Sequence, residues 1–419
     1  MFKEVLKKLG PGLITGASDD DPTAIATYSQ TGAQLGFGML WVILIAYPLM
    51  VTAQQISARI GRVTGHGVAW NMRRHFPKRL VYPLVGFLFV ANTIGLGADL
   101  NAMGEALKLI IGGPALLYSS GFALLSLLLE MFVPYTRYVH YLKGLTLALL
   151  AYAGTAFAMQ IPWKEVAGAT LFPSLEFDRT HLAIFVALMG ALLSPYIFFW
   201  QATGEAEEQK NNPGERPLKK APEQAPEQVQ RIKIDTATGM AFASLIAYFI
   251  ILTCAVTLHQ QGIHQIQSTA QAAEALRPVS GRFASFLFSM GMIGTGLLAV
   301  PVLAGSAAYA IGETLQWRVG LERKPYRAKR FYSALAAAML LGLVLNFLRV
   351  NTIQALFWSA LIYGVVAAPV MGMMVLLASN PKVMGNFTLS LRLKGFGWLT
   401  TLVLSATAIG LLVTFAAEG

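Results

Sequence analysis

Long apolar runs separated by short polar segments cover almost the whole chain. Most runs are about twenty residues long, the length that a helix needs to cross the hydrocarbon core of a membrane. We predict eleven membrane-spanning helices, near 11–37, 39–60, 80–111, 115–133, 138–159, 181–208, 233–258, 283–312, 330–348, 352–378 and 395–416. The pattern therefore predicts an all-α integral membrane protein, in which each span satisfies its own backbone hydrogen bonds.

The composition and the distribution of charge agree with this prediction. Apolar residues make up 55% of the chain and charged residues only 13%, which is too apolar for a soluble domain. A net charge of +11 would fit a nucleic-acid partner, but 26 of the 32 Lys and Arg residues fall in alternate inter-span segments. The positive-inside rule makes those segments cytoplasmic, so we expect a multi-pass protein of the cytoplasmic membrane with its N-terminus inside and no nucleic-acid partner.

Three smaller features give further information about the organisation of the chain. Residues 209–230, rich in proline and mixed charge, predict a flexible cytoplasmic linker between the sixth and seventh spans. Cys254 lies inside an apolar run, so we expect neither a disulfide nor a thiolate metal site. The charged start of the chain is not followed by a cleavage pattern, so we expect no cleavable signal peptide. Nothing in the pattern indicates an obligatory protein partner.

Three consecutive aspartates interrupt the first predicted span. Asp19, Asp20 and Asp21 directly precede Pro22, and carboxylates are costly inside a membrane span. Pro22 has no backbone N–H and disfavours helix at the residue before it, so we predict a break at Asp21 and Pro22. Irregular backbone at membrane depth is tolerated only where it lines a cavity, so the break indicates a functional site.

The sixth predicted span contains a second interruption. Ser194 and Pro195 divide its apolar run midway between His181 and Glu208. Two broken helices at corresponding positions are typical of a LeuT-type transporter with two inverted repeats. We place these repeats at 1–159 (spans 1–5) and 181–378 (spans 6–10), followed by an eleventh span at 395–416. Two ordinary proline kinks are the alternative, since the two halves show no visible sequence identity.

Several short motifs resemble the Nramp family of divalent metal transporters. They are Gly10-Pro-Gly12, Asp21-Pro22 with Ile25-Ala-Thr27 and Gly32-Ala33, Gln55-Ile-Ser-Ala-Arg-Ile-Gly61 with Val63-Thr-Gly65, Ala98-Asp99-Leu100, and Gly190-Ala191 with Pro195. Spans 7–11 match mainly in hydropathy. The resemblance implies a transporter that binds its metal between the first and sixth spans.

In the first span, the resemblance implies that Asp21 is the ligating aspartate. Thr23 and Ala24 stand where the family motif Asp-Pro-Gly-Asn has glycine and asparagine. Successive helix residues differ by about 100° in direction, so the three aspartates cannot all face one site. Asp20 is therefore a second candidate ligand, and Asp19 a candidate for the ion path, with a water-exposed vestibule as the alternative for both.

In the sixth span, the departures from the family pattern are larger. Ser194 and Tyr196 stand where the family motif Met-Pro-His has methionine and histidine. Gln201 stands at the position of a second expected histidine. The backbone carbonyl ligand that the resemblance implies belongs to Ala191.

The replacement of methionine by Ser194 changes the expected metal. A thioether prefers transition metals, whereas carboxylate, hydroxyl, carbonyl and water suit hard cations. Mg²⁺ keeps several of its waters and is usually held by one or two carboxylates. The chain therefore resembles the Nramp-related magnesium transporter branch, and we expect Mg²⁺ and Mn²⁺ as the transported cations and no bound cofactor.

Proton coupling is the second property that the departures affect. Tyr196 and Gln201 cannot replace histidine as a proton carrier near neutral pH, so we expect uncoupled transport. Asp99 resembles an acid of the family's proton pathway, although pairing with a neighbouring polar group would also explain it. An acid-only pathway through Asp99 and the aspartates is the alternative. Gln201, Glu205 and Glu208 share a helix face, which we interpret as a solvated helix end.

Three other functions are alternatives to this hypothesis. A proton-coupled manganese and iron importer of the same family is the nearest. An amino-acid carrier of the same architecture would place its substrate carboxylate at the broken helix, where the aspartates would repel it. An enzyme would need a nucleophile and a base, or a closed ligand set, at one depth, and the sequence shows no such constellation.

Overall fold

The computed structural model describes residues 10–133, 149–173, 178–277, 281–348 and 351–416, and within these ranges it is helical. The α-helices are α1 (Pro11–Asp19), α2 (Pro22–Leu35), α3 (Leu40–Thr64), α4 (Val68–His75), α5 (Lys78–Ile111), α6 (Ala115–Phe132), α7 (Leu150–Ala158), α8 (Trp163–Leu171), α9 (Arg179–Leu192), α10 (Pro195–Asn211), α11 (Ala225–Thr257), α12 (Thr269–Glu274), α13 (Ala284–Thr314), α14 (Lys329–Leu345), α15 (Thr352–Ser379), α16 (Pro381–Met384) and α17 (Leu391–Ala416). The predicted all-α class is confirmed. Of the predicted span at 138–159, the first eleven residues lie outside the described ranges.

Seven of the described helical segments are long and apolar enough to cross a membrane. They are α3, α5, α6, α13, α15, the α9 and α10 pair taken together, and the segment Pro222–Gln261 that contains α11. The first predicted span is divided into α1, with 9 residues, and α2, with 14 residues. Neither half alone reaches the length of about 20 residues that a span requires. The count of eleven spans therefore remains a prediction.

The two interrupted spans pack closely on other long helices. The helices α1 and α2 both pack on α11, and α9 packs on α15. A Cβ atom added at Gly16 of α1 would lie 2.2 Å from the carbonyl oxygen of Gly239, and one added at Gly190 of α9 would lie 2.0 Å from that of Ala360. Any side chain at either glycine would push the helices apart, so these glycines allow the interrupted spans to pack closely on α11 and α15.

The segment predicted as a flexible linker, residues 209–230, is folded in the structure. Helix α10 continues to Asn211, and α11 already begins at Ala225. Between them, the backbone N–H of Leu218 and the side-chain amide of Gln209 both donate to the Arg62 carbonyl, at 3.2 and 3.1 Å. The linker prediction was wrong in this respect, because the polar groups satisfy carbonyls at the end of α3 and prolines begin the next helix rather than prevent it.

Candidate metal site at the two helix breaks

The first helix break lies at the aspartates, as predicted. Helix α1 ends at Asp19, and α2 begins at Pro22. Between them Asp21 is extended, with φ −72° and ψ 172°, and its side chain accepts the Ala24 N–H at 2.7 Å. Asp21 is thus the N-cap of α2, with Pro22 at the first helical position, where its missing N–H costs nothing.

The second break lies at Ser194 and is chemically different. Helix α9 ends at Leu192, and α10 begins at Pro195. The Ser194 hydroxyl turns back on its own helix and lies 2.9 Å from the Gly190 carbonyl and 3.0 Å from the Ala191 carbonyl. Two predicted site groups, the Ser194 hydroxyl and the Ala191 carbonyl, are therefore in contact with each other. Each keeps a lone pair that could face an ion.

Tyr196 joins the two breaks. Its hydroxyl donates to the Asp21 carboxylate at 2.9 Å and lies 3.2 Å from the Ser18 carbonyl. The tyrosine is completely buried. A residue at the start of α10 therefore holds the carboxylate at the start of α2, and the position where the resemblance expects a histidine carries a structural hydrogen bond.

Asp99 of α5 anchors the start of α2 from the other side. One of its carboxylate oxygens accepts both the backbone N–H of Thr23, at 3.1 Å, and the Thr23 hydroxyl, at 2.8 Å. Asp21 and Asp99 together satisfy two free N–H groups of the first turn, where the helix dipole favours negative charge. Asp99 thus pairs with a neighbouring hydroxyl, as one of the two sequence interpretations expected.

Asp19 and Asp20 have a different environment from Asp21 and Asp99. Both are buried, with 0% and 1% of their surface exposed. None of their four carboxylate oxygens has a hydrogen-bond partner among the described residues. The exposed vestibule considered in the sequence analysis is therefore excluded for these side chains. An ionised carboxylate held this way is strongly unfavourable unless a cation or a proton compensates it.

The structure brings some of the predicted residues together and separates others. Asp21, Thr23, Ala24, Asp99 and Tyr196 form one connected network, described above. Gln201 lies further along α10 and accepts a hydrogen bond from Thr15 of α1. Within the described ranges, no group of three or more His, Cys, Asp and Glu side chains has the geometry of a closed metal site. The three aspartates therefore do not converge on one point, as their helical spacing predicted.

Two tyrosines near the aspartates were missed by the sequence analysis. Tyr28 and Tyr363 are buried, and their hydroxyls lack a hydrogen-bond partner among the described residues. Tyr28 lies on α2, the helix that Asp21 caps, and the Tyr363 ring lies 5.6 Å from that of Tyr196. Tyr28 follows Asp21 by seven residues and so shares its helix face, a signal that the sequence did contain. Tyr363 had no such signal.

A family model described as natural resistance-associated macrophage protein-like, Nramp, matches residues 12–414. The chain belongs to the Nramp family. Its members are membrane transporters of divalent metals rather than enzymes, and the match covers both helix breaks and every candidate site residue.

Solved structures share the fold of this Nramp chain at low sequence identity. The manganese transporter of Eremococcus coleocola, in complex with an aromatic bis-isothiourea compound, is 16% identical, with a TM-score of 0.78 over 100% of this chain and 87% of that one. MhsT in complex with L-phenylalanine is 12% identical, with a TM-score of 0.64 over 97% and 98%. The inward-facing conformation of Mhp1 is 13% identical, with a TM-score of 0.55 over 97% and 91%. The predicted LeuT-type transporter fold is confirmed.

The Gly10 end of the broken first span in this Nramp chain is closed by buried charges. The Asp235 carboxylate of α11 accepts the backbone N–H groups of Gly10, Gly12 and Leu13, at 2.9, 2.7 and 2.9 Å. Arg231, one turn earlier, forms an ion pair with Glu205 of α10. Glu205 is fully buried, so the interpretation of this face as a solvated helix end was wrong. The reason is Arg231, which lies 26 positions later in the chain.

The opposite end of the same span is covered by the segment that follows α11. The Gln30 side chain of α2 donates to the His264 carbonyl at 3.2 Å and accepts the Ile266 N–H at 3.0 Å. His259 also donates to the Ala33 carbonyl at 2.9 Å. The segment after α11 thus covers α2, and the aspartates lie enclosed between two closed ends.

Proposed function

We propose that this chain transports Mg²⁺ and Mn²⁺ across the cytoplasmic membrane by alternating access, without coupled protons. The observation that carries the proposal is the pair of buried carboxylates, Asp19 and Asp20, directly beside the break at Asp21, which have no hydrogen-bond partner among the described residues. Negative charge enclosed at this depth needs a compensating cation, and a divalent metal is the class of substrate that the family transports.

The donor groups at the breaks favour a hard cation. Carboxylate oxygens come from Asp20 and Asp21, a hydroxyl from Ser194 and a backbone carbonyl from Ala191, with Ala24 leaving room beside them. This oxygen set suits Mg²⁺ and Mn²⁺ more than Cd²⁺ or Cu⁺, because it contains no thioether or thiolate. A cation that keeps part of its water, as Mg²⁺ does, also fits aspartates that do not converge on one point.

The absence of proton coupling is inferred from the sixth span. The Tyr196 hydroxyl and the Gln201 side-chain oxygen each form a hydrogen bond with the first span, through Asp21 and Thr15, and neither side chain exchanges protons readily near neutral pH. One carboxylate oxygen of Asp99 accepts two hydrogen bonds from Thr23, whereas the other has no hydrogen-bond partner among the described residues. These contacts give each residue a structural role that does not require it to carry a proton.

Two alternatives keep specific support. A proton-coupled manganese importer is favoured by the fold of the Eremococcus coleocola manganese transporter and by the titratable Asp19, Asp20 and Asp99. An amino-acid carrier is favoured by the fold of MhsT, which was solved with L-phenylalanine. For the latter, the start of α2, the natural position for a substrate carboxylate, is already capped by Asp21 and Asp99.

The decisive experiment is metal uptake by the purified protein in liposomes that hold both a metal indicator and a pH-sensitive dye. We expect uptake of Mn²⁺ that millimolar Mg²⁺ inhibits and that amino acids do not affect, without acidification of the lumen. Indifference to Mg²⁺ together with a preference for Cd²⁺ would refute the hard-cation assignment. Acidification that scales with metal uptake and disappears in Asp99→Asn would establish the proton-coupled alternative.

A further inference from the structure

A cavity of about 440 Å³ opens between α3, the beginning of α11 and the beginning of α17. None of the candidate metal-site residues lines it. Its volume lies in the range of small-molecule sites. The cavity is therefore a separate feature that metal transport leaves unexplained.

Three cationic side chains line this cavity, one from each helix. They are Arg59 of α3, Lys233 of α11 and Arg392 of α17. No acidic residue lines the cavity, and within the described part of the chain none of the three cations forms a salt bridge. Three like charges around one cavity repel each other, so an anion bound there would be favoured.

The predicted spans assign the three cations a similar depth in the membrane. Arg59, Lys233 and Arg392 each lie within three residues of a boundary of a predicted span. By the predicted orientation this is the cytoplasmic boundary, where anionic lipid headgroups are concentrated. Basic pockets between helices at this level are a recognised arrangement for phospholipid headgroups.

The rest of the lining of the cavity combines apolar side chains with the polar Thr52, Gln55 and Ser390. Val51 of α3 and Leu393 and Phe396 of α17 line it, and Phe396 keeps 46% of its surface exposed. A soluble anion would gain nothing from these apolar side chains, whereas acyl chains would bury them. The combination of an uncompensated cationic rim and apolar side chains distinguishes a lipid from free phosphate.

We propose that this cavity binds the phosphate headgroup of one anionic phospholipid, with its acyl chains against Leu393 and Phe396. The phosphate bridges α3, α11 and α17 through Arg59, Lys233 and Arg392. The bound lipid therefore stabilises the docking of α17, the helix that lies outside the two predicted repeats.

The test uses the full chain in neutral detergent, with native mass spectrometry for bound lipid and thermal unfolding for stability. The probes are dioleoyl-phosphatidylglycerol, dioleoyl-phosphatidylcholine and inorganic phosphate. We expect the phosphatidylglycerol to bind and to raise the unfolding temperature, and the other two probes to do neither. The triple variant Arg59→Gln, Lys233→Gln, Arg392→Gln should bind it on the order of a hundredfold more weakly, and Arg392→Gln alone about fivefold more weakly.

A matched control removes the same charge elsewhere. Arg318, Arg327 and Lys329 line a second cavity, of about 370 Å³, and their triple change to Gln should leave lipid binding intact. Equal stabilisation by phosphatidylcholine, or equal loss in both triple variants, would overturn the proposal, as would stabilisation by inorganic phosphate alone. If the triple variant does not fold, the single variant Arg392→Gln provides the test, because Arg392 is exposed. Unchanged binding of phosphatidylglycerol by this variant would also overturn the proposal.

Discussion

The two helix breaks have a similar backbone arrangement, but the side chain at the first is a carboxylate and the side chain at the second is a neutral hydroxyl. Each consists of a helix end, a non-helical residue and a proline that begins the next helix. At the first break, the Asp21 carboxylate caps the following helix and accepts a hydrogen bond from Tyr196 of the other broken span. At the second, the Ser194 hydroxyl bonds only to carbonyls of its own preceding helix.

This difference indicates that the two breaks have different roles in transport. The first supplies charge and is held in position by other helices, so changes there should affect whether any cation is carried. The second is neutral and locally satisfied, so changes there should affect mainly which cation is carried. The predictions below test this difference in roles, beginning with the largest expected effect.

Asp21→Asn should nearly abolish transport. Asparagine keeps the shape and still caps α2, but it removes the charge at the break. We expect the initial rate of Mn²⁺ uptake in liposomes to fall at least about a hundredfold. Removal of one partner from a buried ion pair has a free-energy cost that corresponds to a change of this size. The control is Asp178→Asn, the same change at the exposed N-cap of α9. Wild-type uptake by a correctly inserted Asp21→Asn protein would show that the cation is bound elsewhere.

Asp20→Asn and Asp19→Asn should each reduce the apparent affinity for Mn²⁺ by roughly tenfold to a hundredfold, as expected for groups that act through the water of the ion. The double variant should have a lower apparent affinity for Mn²⁺ than either single variant. Concentration dependence of uptake measures the effect. If both single variants match the wild type, the buried carboxylates are neutral in the working protein and do not line the ion path.

Tyr196→Phe should slow uptake by roughly tenfold, since it removes one hydrogen bond to a charged group, worth about 1.5–3 kcal/mol. The matched control is Tyr363→Phe, which removes a buried hydroxyl without a hydrogen-bond partner among the described residues and should have a smaller effect. Equal effects in the two variants would indicate that Tyr196 contributes only its ring to packing.

Ser194→Ala should change the uptake rate least, by about fivefold or less, because the lost hydroxyl bonds only to its own helix, at about 0.5–1.5 kcal/mol per hydrogen bond. Ser194→Met with Ala24→Asn should instead raise the ratio of Cd²⁺ to Mn²⁺ uptake and weaken inhibition by Mg²⁺. Competition assays with these cations measure both. An unchanged ratio would place selectivity outside the second break.

The positions of both breaks could be predicted from the sequence because their causes are local. Pro22 and Pro195 each follow a residue that proline forces out of the helix, and the apolar runs around them are long enough to identify the spans. Local capping does not reveal long-range partners, however. Asp99 lies 76 positions from Thr23, and its role as an anchor for α2 became visible only when α5 was packed beside it.

Several misinterpreted or missed residues share this cause. The polar residues that follow Glu205 in the chain predicted a solvated side chain. Its burial is possible because Arg231 of α11 forms an ion pair with it. No local sequence pattern marks Asp235 as a capping residue, although it caps the start of α1 from 223 positions away. Tyr363 likewise gains its place near the aspartates from the packing of α15.

The sequence by itself determined the membrane class, the all-α fold, both helix breaks and the acidic character of the first. These follow from hydropathy, from the missing proline N–H and from the cost of charge in a membrane, all of which act within a few residues along the chain. The tertiary structure alone decided which carboxylates accept hydrogen bonds and which are buried with no hydrogen-bond partner among the described residues. That distinction depends on groups brought from helices far apart in sequence, because the free energy of a buried charge is set by its neighbours in space.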